Sequence, residues 1–237
     1  MTGRITALTL TSVQGKVSGI FPVLSTKMKL TEILAHLAVG LREPLGDFTE
    51  LLRAVREGAE KIGAESSELL RAAGAKDVDR PFDWNASGLK KAFRGRPGPG
   101  GGVEANATVL GFYLVAYLVD GPRREAAAKA VNMMLARSLH DGCPITGQRF
   151  FGGALKTMLT DREVFDRAAV IRISADAGFA TIMFKDGNVS EFWVSGKEGL
   201  RKPTFRESVL VLEPIRFVFD LINEPEKSES TTSKSMA

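Results

Sequence analysis

The sequence predicts an α+β protein, with a mostly helical N-terminal body, a small antiparallel sheet of three to four strands and a terminal helix. Three observations carry that reading. Apolar residues recur at helical spacing from Leu30 to Leu41 and again from Phe48 to Val55. An apolar run, Val109 to Leu118, stands between Gly/Pro-rich breaks. Beyond residue 169 the pattern turns to short β-branched or aromatic runs separated by turn residues. With 237 residues, 44% hydrophobic and 25% charged, the chain can build one large domain or two small ones. The predicted division is an extension over 1–27, a helical domain over 28–160, a sheet-plus-helix region over 161–223 and a disordered tail over 224–237.

The extension mixes Ile5, Leu8, Leu10, Val13 and Val17 with Thr, Ser and Gly. It reads either as one or two short strands or as a poorly ordered arm. Thr31 is the expected cap of the first helix, whose Leu30, Ile33, Leu34, Leu37, Ala38 and Leu41 share a face. Pro44 ends or kinks that helix. Asp47 is expected to cap a second, with Phe48, Leu51, Leu52 and Val55 inward and Gly58 near its fraying end. A third helix is placed from Ser66 through Ala73, ending at Gly74. Residues 75–86 read as a loop pinned to the core by Phe82 and Trp84. Ser87 caps a short basic helix, Gly88 to Phe93.

Asn106 or Thr108 caps the apolar helix, which Gly121-Pro122 breaks. Helices are then expected from Arg123 to His140, with Leu139 on the inward face, and from Ile145 to Thr160. Val170 to Ser174, Phe179 to Phe184 and Val189 to Val194 predict a three-stranded meander, whose second turn carries the hairpin signal Asp186-Gly187. Val209 to Leu212 either adds a fourth strand or begins the last helix, Pro214 to Ile222, with proline in its first turn.

Lys and Arg number 32 against 28 Asp and Glu, a net charge of +4, and the pI is about 9.2. This mild excess admits nucleic acid or an acidic membrane surface as partner and excludes an acidic nucleic-acid mimic. A lone cysteine, Cys143, forms no intrachain disulfide and fits a reducing compartment. No stretch reaches the roughly 20 apolar residues of a membrane span, and Thr, Ser and Gln14 interrupt the N-terminal apolar residues, a poor secretory signal. The expected location is the cytoplasm of a bacterial or viral system.

The strongest functional signal is the run Arg94-Gly95-Arg96-Pro97-Gly98-Pro99-Gly100-Gly101-Gly102, with Lys90 and Lys91 just before it. It has nothing apolar to bury, and its Pro and Gly break both helix and strand. Charge runs are commonly solvated faces. Here four cations without an acid lie in seven residues, and the glycines let backbone approach a phosphate closely. Arginines on such a loop suit a narrow minor groove. Arg123 and Arg124, at a helix start, are expected to add backbone phosphate contacts. The run lacks the G-x-x-x-x-G-K-[ST] pattern, which argues against nucleotide hydrolysis.

Other constellations have plainer readings. Cys143 and His140 sit too close in sequence for a catalytic pair, and His140 is expected at a helix C-terminus. Two histidines and one cysteine support no metal site. Asp161, Glu163 and Asp166 read as first-turn acids of a helix, and Asp176, Asp186 and Asn188 as turn residues. The strand Phe192-Trp193-Val194 has aromatics suited to RNA stacking, but core packing is the better account.

The order of elements, the Gly/Arg/Pro loop and the helix opening Phe151-Gly152-Gly153-Ala154-Leu155 resemble prophage-encoded bacterial proteins with a helix-turn-helix-like N-terminal region. The resemblance spans about residues 28–222 and implies a role in phage or host gene regulation, although a clear recognition-helix pattern is missing. The expectation is a DNA-binding transcriptional regulator that holds double-stranded DNA through Lys90, Lys91, Arg94, Arg96, Arg123 and Arg124. The sheet and final helix would form a two-fold homodimer. The alternative is a protein-protein adaptor. No enzyme, cofactor, metal or membrane association is expected.

Overall fold

The computed structural model describes residues 28–61, 92–93, 102–194 and 206–223. These hold seven α-helices and a five-stranded antiparallel sheet, an α+β fold. The expected helix over 66–74, the loop over 75–86 with Phe82 and Trp84, the cap at Ser87, the extension and the tail lie outside the described residues.

Helix α1, Leu30–Leu41, buries the predicted stripe Leu30, Ile33, Leu34, Leu37 and Ala38. Its cap is Lys29 rather than Thr31, because Glu32 reaches back to accept the Lys29 N–H at 2.9 Å. It ends at Arg42, in the left-handed region, where the Glu43 N–H bonds the Ala38 carbonyl. Pro44 therefore precedes α2, Leu45–Lys61, and Asp47 lies inside the first turn of α2 rather than capping it. Gly58 does not mark a fraying end: the helix continues through it to Lys61. A Cβ on Gly58 would lie 2.6 Å from the Ala127 Cβ, so glycine is what lets α2 approach its neighbour.

Helix α3, Ala107–Leu118, is capped by Asn106, whose Oδ1 accepts the Val109 N–H at 2.9 Å. Val109, Leu110, Phe112, Tyr113, Leu114, Val115, Ala116 and Leu118 are all buried. Apolar all round, this helix forms the centre of the body, touching α2, α4 and α5.

The predicted helix Arg123 to His140 is a 3-10 turn, Arg123–Glu125, followed by α4, Ala126–Met134. The chain then leaves the helical ladder. The Ser138 N–H bonds the Arg149 carbonyl and the Phe151 N–H bonds Ala136. The two-residue strand β1, Arg137–Ser138, pairs with the later strand β4. Leu139 is 50% exposed, not part of the inward face, and His140 lies six residues beyond the helix end. The expected Ile145 to Thr160 helix starts later, as α5, Phe151–Thr160. Asp161 then caps α6, Arg162–Arg167, by accepting the Glu163 and Val164 N–H groups. Asp166, near the end of that helix rather than in its first turn, pairs with Arg162 and Arg216.

Strands β2, Ala168–Ser174, β3, Phe179–Phe184, and β4, Val189–Trp193, form the predicted meander. Gly187, at φ +86°, closes the β3–β4 turn, which suits a residue without a Cβ. Asp186 accepts the Asn188 N–H at 3.0 Å and an Arg167 N–H. These bonds, the Asn188 backbone first, hold the Asp186 carboxyl below its usual range. Residues 208–211 are indeed a strand, β5 (Ser208–Val211), and the final order β1-β4-β3-β2-β5 contains one strand more than expected. A second 3-10 turn, Glu213–Ile215, leads into α7, Arg216–Asn223.

One face of the sheet carries Ile171, Ile173, Ala180, Ile182, Phe184, Phe192 and Leu210 into the core. There Phe151 of α5 meets Phe192 at 5.5 Å, and Phe165 of α6 meets Phe219 of α7 at 4.7 Å. The buried cluster is continuous from Leu30 to Phe219. No helix among the described residues is long and apolar enough to cross a membrane.

Candidate functional site

Both flanks of the basic run are attached to the helical body. On one side Ala92 and Phe93 are helical. Phe93 is only 3% exposed, and its ring meets that of Phe112 in α3 at 5.4 Å. On the other side, residues 103–105 lie antiparallel to residues 28–30. The Leu30 N–H donates to the Val103 carbonyl at 2.7 Å and the Ala105 N–H to the Met28 carbonyl at 2.9 Å, with Lys29 bridged to Glu104. Val103 is buried. Phe93 and Val103, on either side of residues 94–101, are thus both fixed to the body, Phe93 against the middle of α3 and Val103 beside the start of α1. Lys90, Lys91, Arg94 and Arg96 themselves lie outside the described residues.

Arg123 and Arg124 stand apart from that attachment, in the 3-10 turn after Gly121-Pro122. The Arg123 guanidinium donates to Asp47 at 2.6 Å and to Glu50, both on α2. The hydrogen bond to Asp47 is the largest influence raising its pKa further above the ordinary arginine value. Arg123 is therefore occupied by carboxylates in this structure and ties the turn to α2. Arg124 has an 85% exposed side chain with only a 3.9 Å approach to Glu125. Local spacing does not reveal the Asp47–Glu50–Arg123 cluster, beyond two acids three residues apart and so on one helical face.

Arg123 borders a cleft of about 300 Å³, with Glu43, Asp47, Tyr117, Asp120 and Ser208 among its walls. Tyr117 stacks on Phe48 at 5.1 Å, and burial followed by Glu43 and Asp47 raises its phenol pKa. Deeper in, the Tyr113 hydroxyl donates to the Phe48 carbonyl at 2.7 Å. The charge around this cleft is mainly negative, the reverse of what a phosphate contact needs.

The thiol and the imidazoles have different surroundings. Cys143 is buried, its Sγ 3.1 Å from the Ser190 Oγ. His140 is exposed in a turn, and His36 packs edge-on against Phe217. No group of three or more His, Cys, Asp or Glu among the described residues could hold a metal ion. Of the strand read as core packing rather than an RNA-stacking platform, Trp193 is buried beside Phe179 at 5.3 Å and Phe192 is buried on the opposite face of the sheet. The chain has no significant match to a protein-family model, a curated protein or a solved structure.

Proposed function

We propose that this protein is a DNA-binding regulator that grips duplex DNA through Lys90, Lys91, Arg94 and Arg96, with Arg124 adding a phosphate contact. The observation that supports it most is the anchoring of Phe93 and of Val103–Ala105, with Arg94 and Arg96 between these anchors in sequence and Lys90 and Lys91 just before the first. A charged segment whose neighbours on both sides are anchored loses less conformational freedom on binding than a free arm. Its glycines let the backbone close on phosphates, and its arginines fit a narrow groove. Arg123, held by Asp47 and Glu50, serves to position the turn that presents Arg124. The element order, which resembles that of prophage-encoded proteins, and the single cysteine support a role in gene regulation within a reducing cytoplasm.

A salt titration tests the reading. Each phosphate contact contributes about −0.9 to the slope of log affinity against log salt on duplex DNA. Replacing Lys90, Lys91, Arg94 and Arg96 by Ala should make that slope shallower by roughly three to four. An absence of binding to duplex DNA at about 50 mM salt, where phosphate contacts are still strong, would refute it. The rival, a protein-protein adaptor, is favoured by the outward apolar residues of the sheet, Val189, Val209 and Val211. An adaptor carrying Ala at Arg94 and Arg96 keeps its partner; a regulator with the same changes loses DNA.

A further inference from the structure

The outward face of the sheet has a regular composition. In an antiparallel sheet with one solvated face, that face should be polar. Here the strand register sets three rows across it. Val211, Val170, Met183 and Val189 form the first, running from β5 through β2 and β3 to β4. Val209, Arg172, Thr181 and Glu191 form the second, and Ser174, Phe179 and Trp193 the third. Val189, Val209 and Val211 are 45%, 52% and 47% exposed, whereas Ser174, Thr181 and Trp193 are already buried within the single chain. The Arg172 Nε, Thr181 Oγ1 and Trp193 Nε1 are buried without a hydrogen-bond partner, and all three belong to this face. The closest approach of Arg172 to a carboxylate is 3.9 Å, to Glu207.

We infer that this face is a self-complementary docking surface for a second copy of the chain, with a two-fold axis running along β3. The charge pattern selects that occupant. In the second row a cation on β2 and an anion on β4 flank Thr181 at equal strand spacing. Rotation about β3 brings Arg172 of one copy over Glu191 of the other. It also sets Met183 on Met183 and Val170 against Val189. Sheets that pack face to face lie about 10 Å apart with strands some 30° out of line. Long Arg and Glu side chains tolerate that offset. The isologous geometry is the commonest one for homodimers. It does not depend on DNA binding.

Cross-linking and sedimentation of the full chain test it. The sequence's one cysteine is buried, so a short bismaleimide reports on an introduced thiol. Met183→Cys lies on the axis and should link two copies rapidly. Val211→Cys, two strands away, would sit roughly 19 Å from its counterpart at the ordinary strand spacing and should not. Sedimentation should show a dimer for the unaltered protein, at least a tenfold weaker association for Arg172→Glu or Glu191→Arg, and recovery in the double reversal. A monomer at all concentrations, leaving the face to another protein, overturns the inference. So do equal linking rates at the two thiols, or a dimer indifferent to both charge reversals.

Discussion

Adjacent arginines in this chain have different surroundings, and sequence could not separate them. Arg123 and Arg124 share position, type and helix start, yet only Arg123 meets Asp47 and Glu50. Partners 73 and 76 residues away leave no trace in local spacing. Arg123→Ala should cost little stability, because the pair is well exposed and screened, and should leave the salt slope of DNA binding unchanged. Arg124→Ala should leave stability unchanged and reduce that slope by about one. Urea unfolding and a binding titration on both variants check the contrast. Tyr113 is a second residue-scale case. Burial raises its phenol pKa far above the ordinary 10.0. Above pH 10 the unfolded chain therefore holds fewer protons than the folded one, and stability falls as pH rises. Its contribution is whole below that pH and drains away above it. Tyr113→Phe should cost about 1 kcal/mol at neutral pH, for the lost bond to Phe48, and should flatten the alkaline decline. Unfolding midpoints measured from pH 7 upward read both effects.

At the scale of elements, periodicity located helices well and their ends poorly. The stripes of α1 and α2 and the apolar α3 were legible because each buries a face that sequence order lays out directly. The end of α4 was not, since Ala136, Arg137 and Ser138 contain no local stop. Their backbone is taken by Arg149, Phe151 and β4, partners that only the folded chain supplies. Gly58 was misread for a similar reason: glycine inside a helix suggests fraying, whereas here it makes room for Ala127. Gly58→Ala gains up to about 1 kcal/mol of helix propensity. It also forces two Cβ atoms on packed helices together, an overpacking cost of typically 1–3 kcal/mol. The net effect should be destabilising, and Ala127→Gly in the same chain should restore most of the loss. A double-mutant cycle in urea measures that coupling; additive effects would show that α2 and α4 do not constrain each other.

For the whole molecule, the α+β class was legible because the change from helical to strand periodicity is abrupt near residue 168. The candidate site was legible only as charge: Lys90, Lys91, Arg94 and Arg96 announce themselves by spacing, while the anchoring of their flanks depends on Phe93 reaching Phe112 and on a two-residue pairing with the start of α1. Sequence also suggested a boundary between residues 160 and 161, yet the described core runs without interruption from α1 through the sheet to α7. Across that boundary Phe151 of α5 meets Phe192 of β4, and the Asn223 side-chain amide of α7 donates to the Leu159 carbonyl of α5 at 2.9 Å. Neither side retains its buried face without the other, so residues 28–160 and 161–223 should unfold in one step. Far-UV circular dichroism reports mainly the helices. Trp193 reports the sheet, and Trp84→Phe leaves it the single indole, since the chain has two tryptophans. Coincident transitions by the two probes are expected in urea and on heating. A fluorescence transition that precedes loss of helix would mean the sheet melts alone and that the shared core contributes little to holding it.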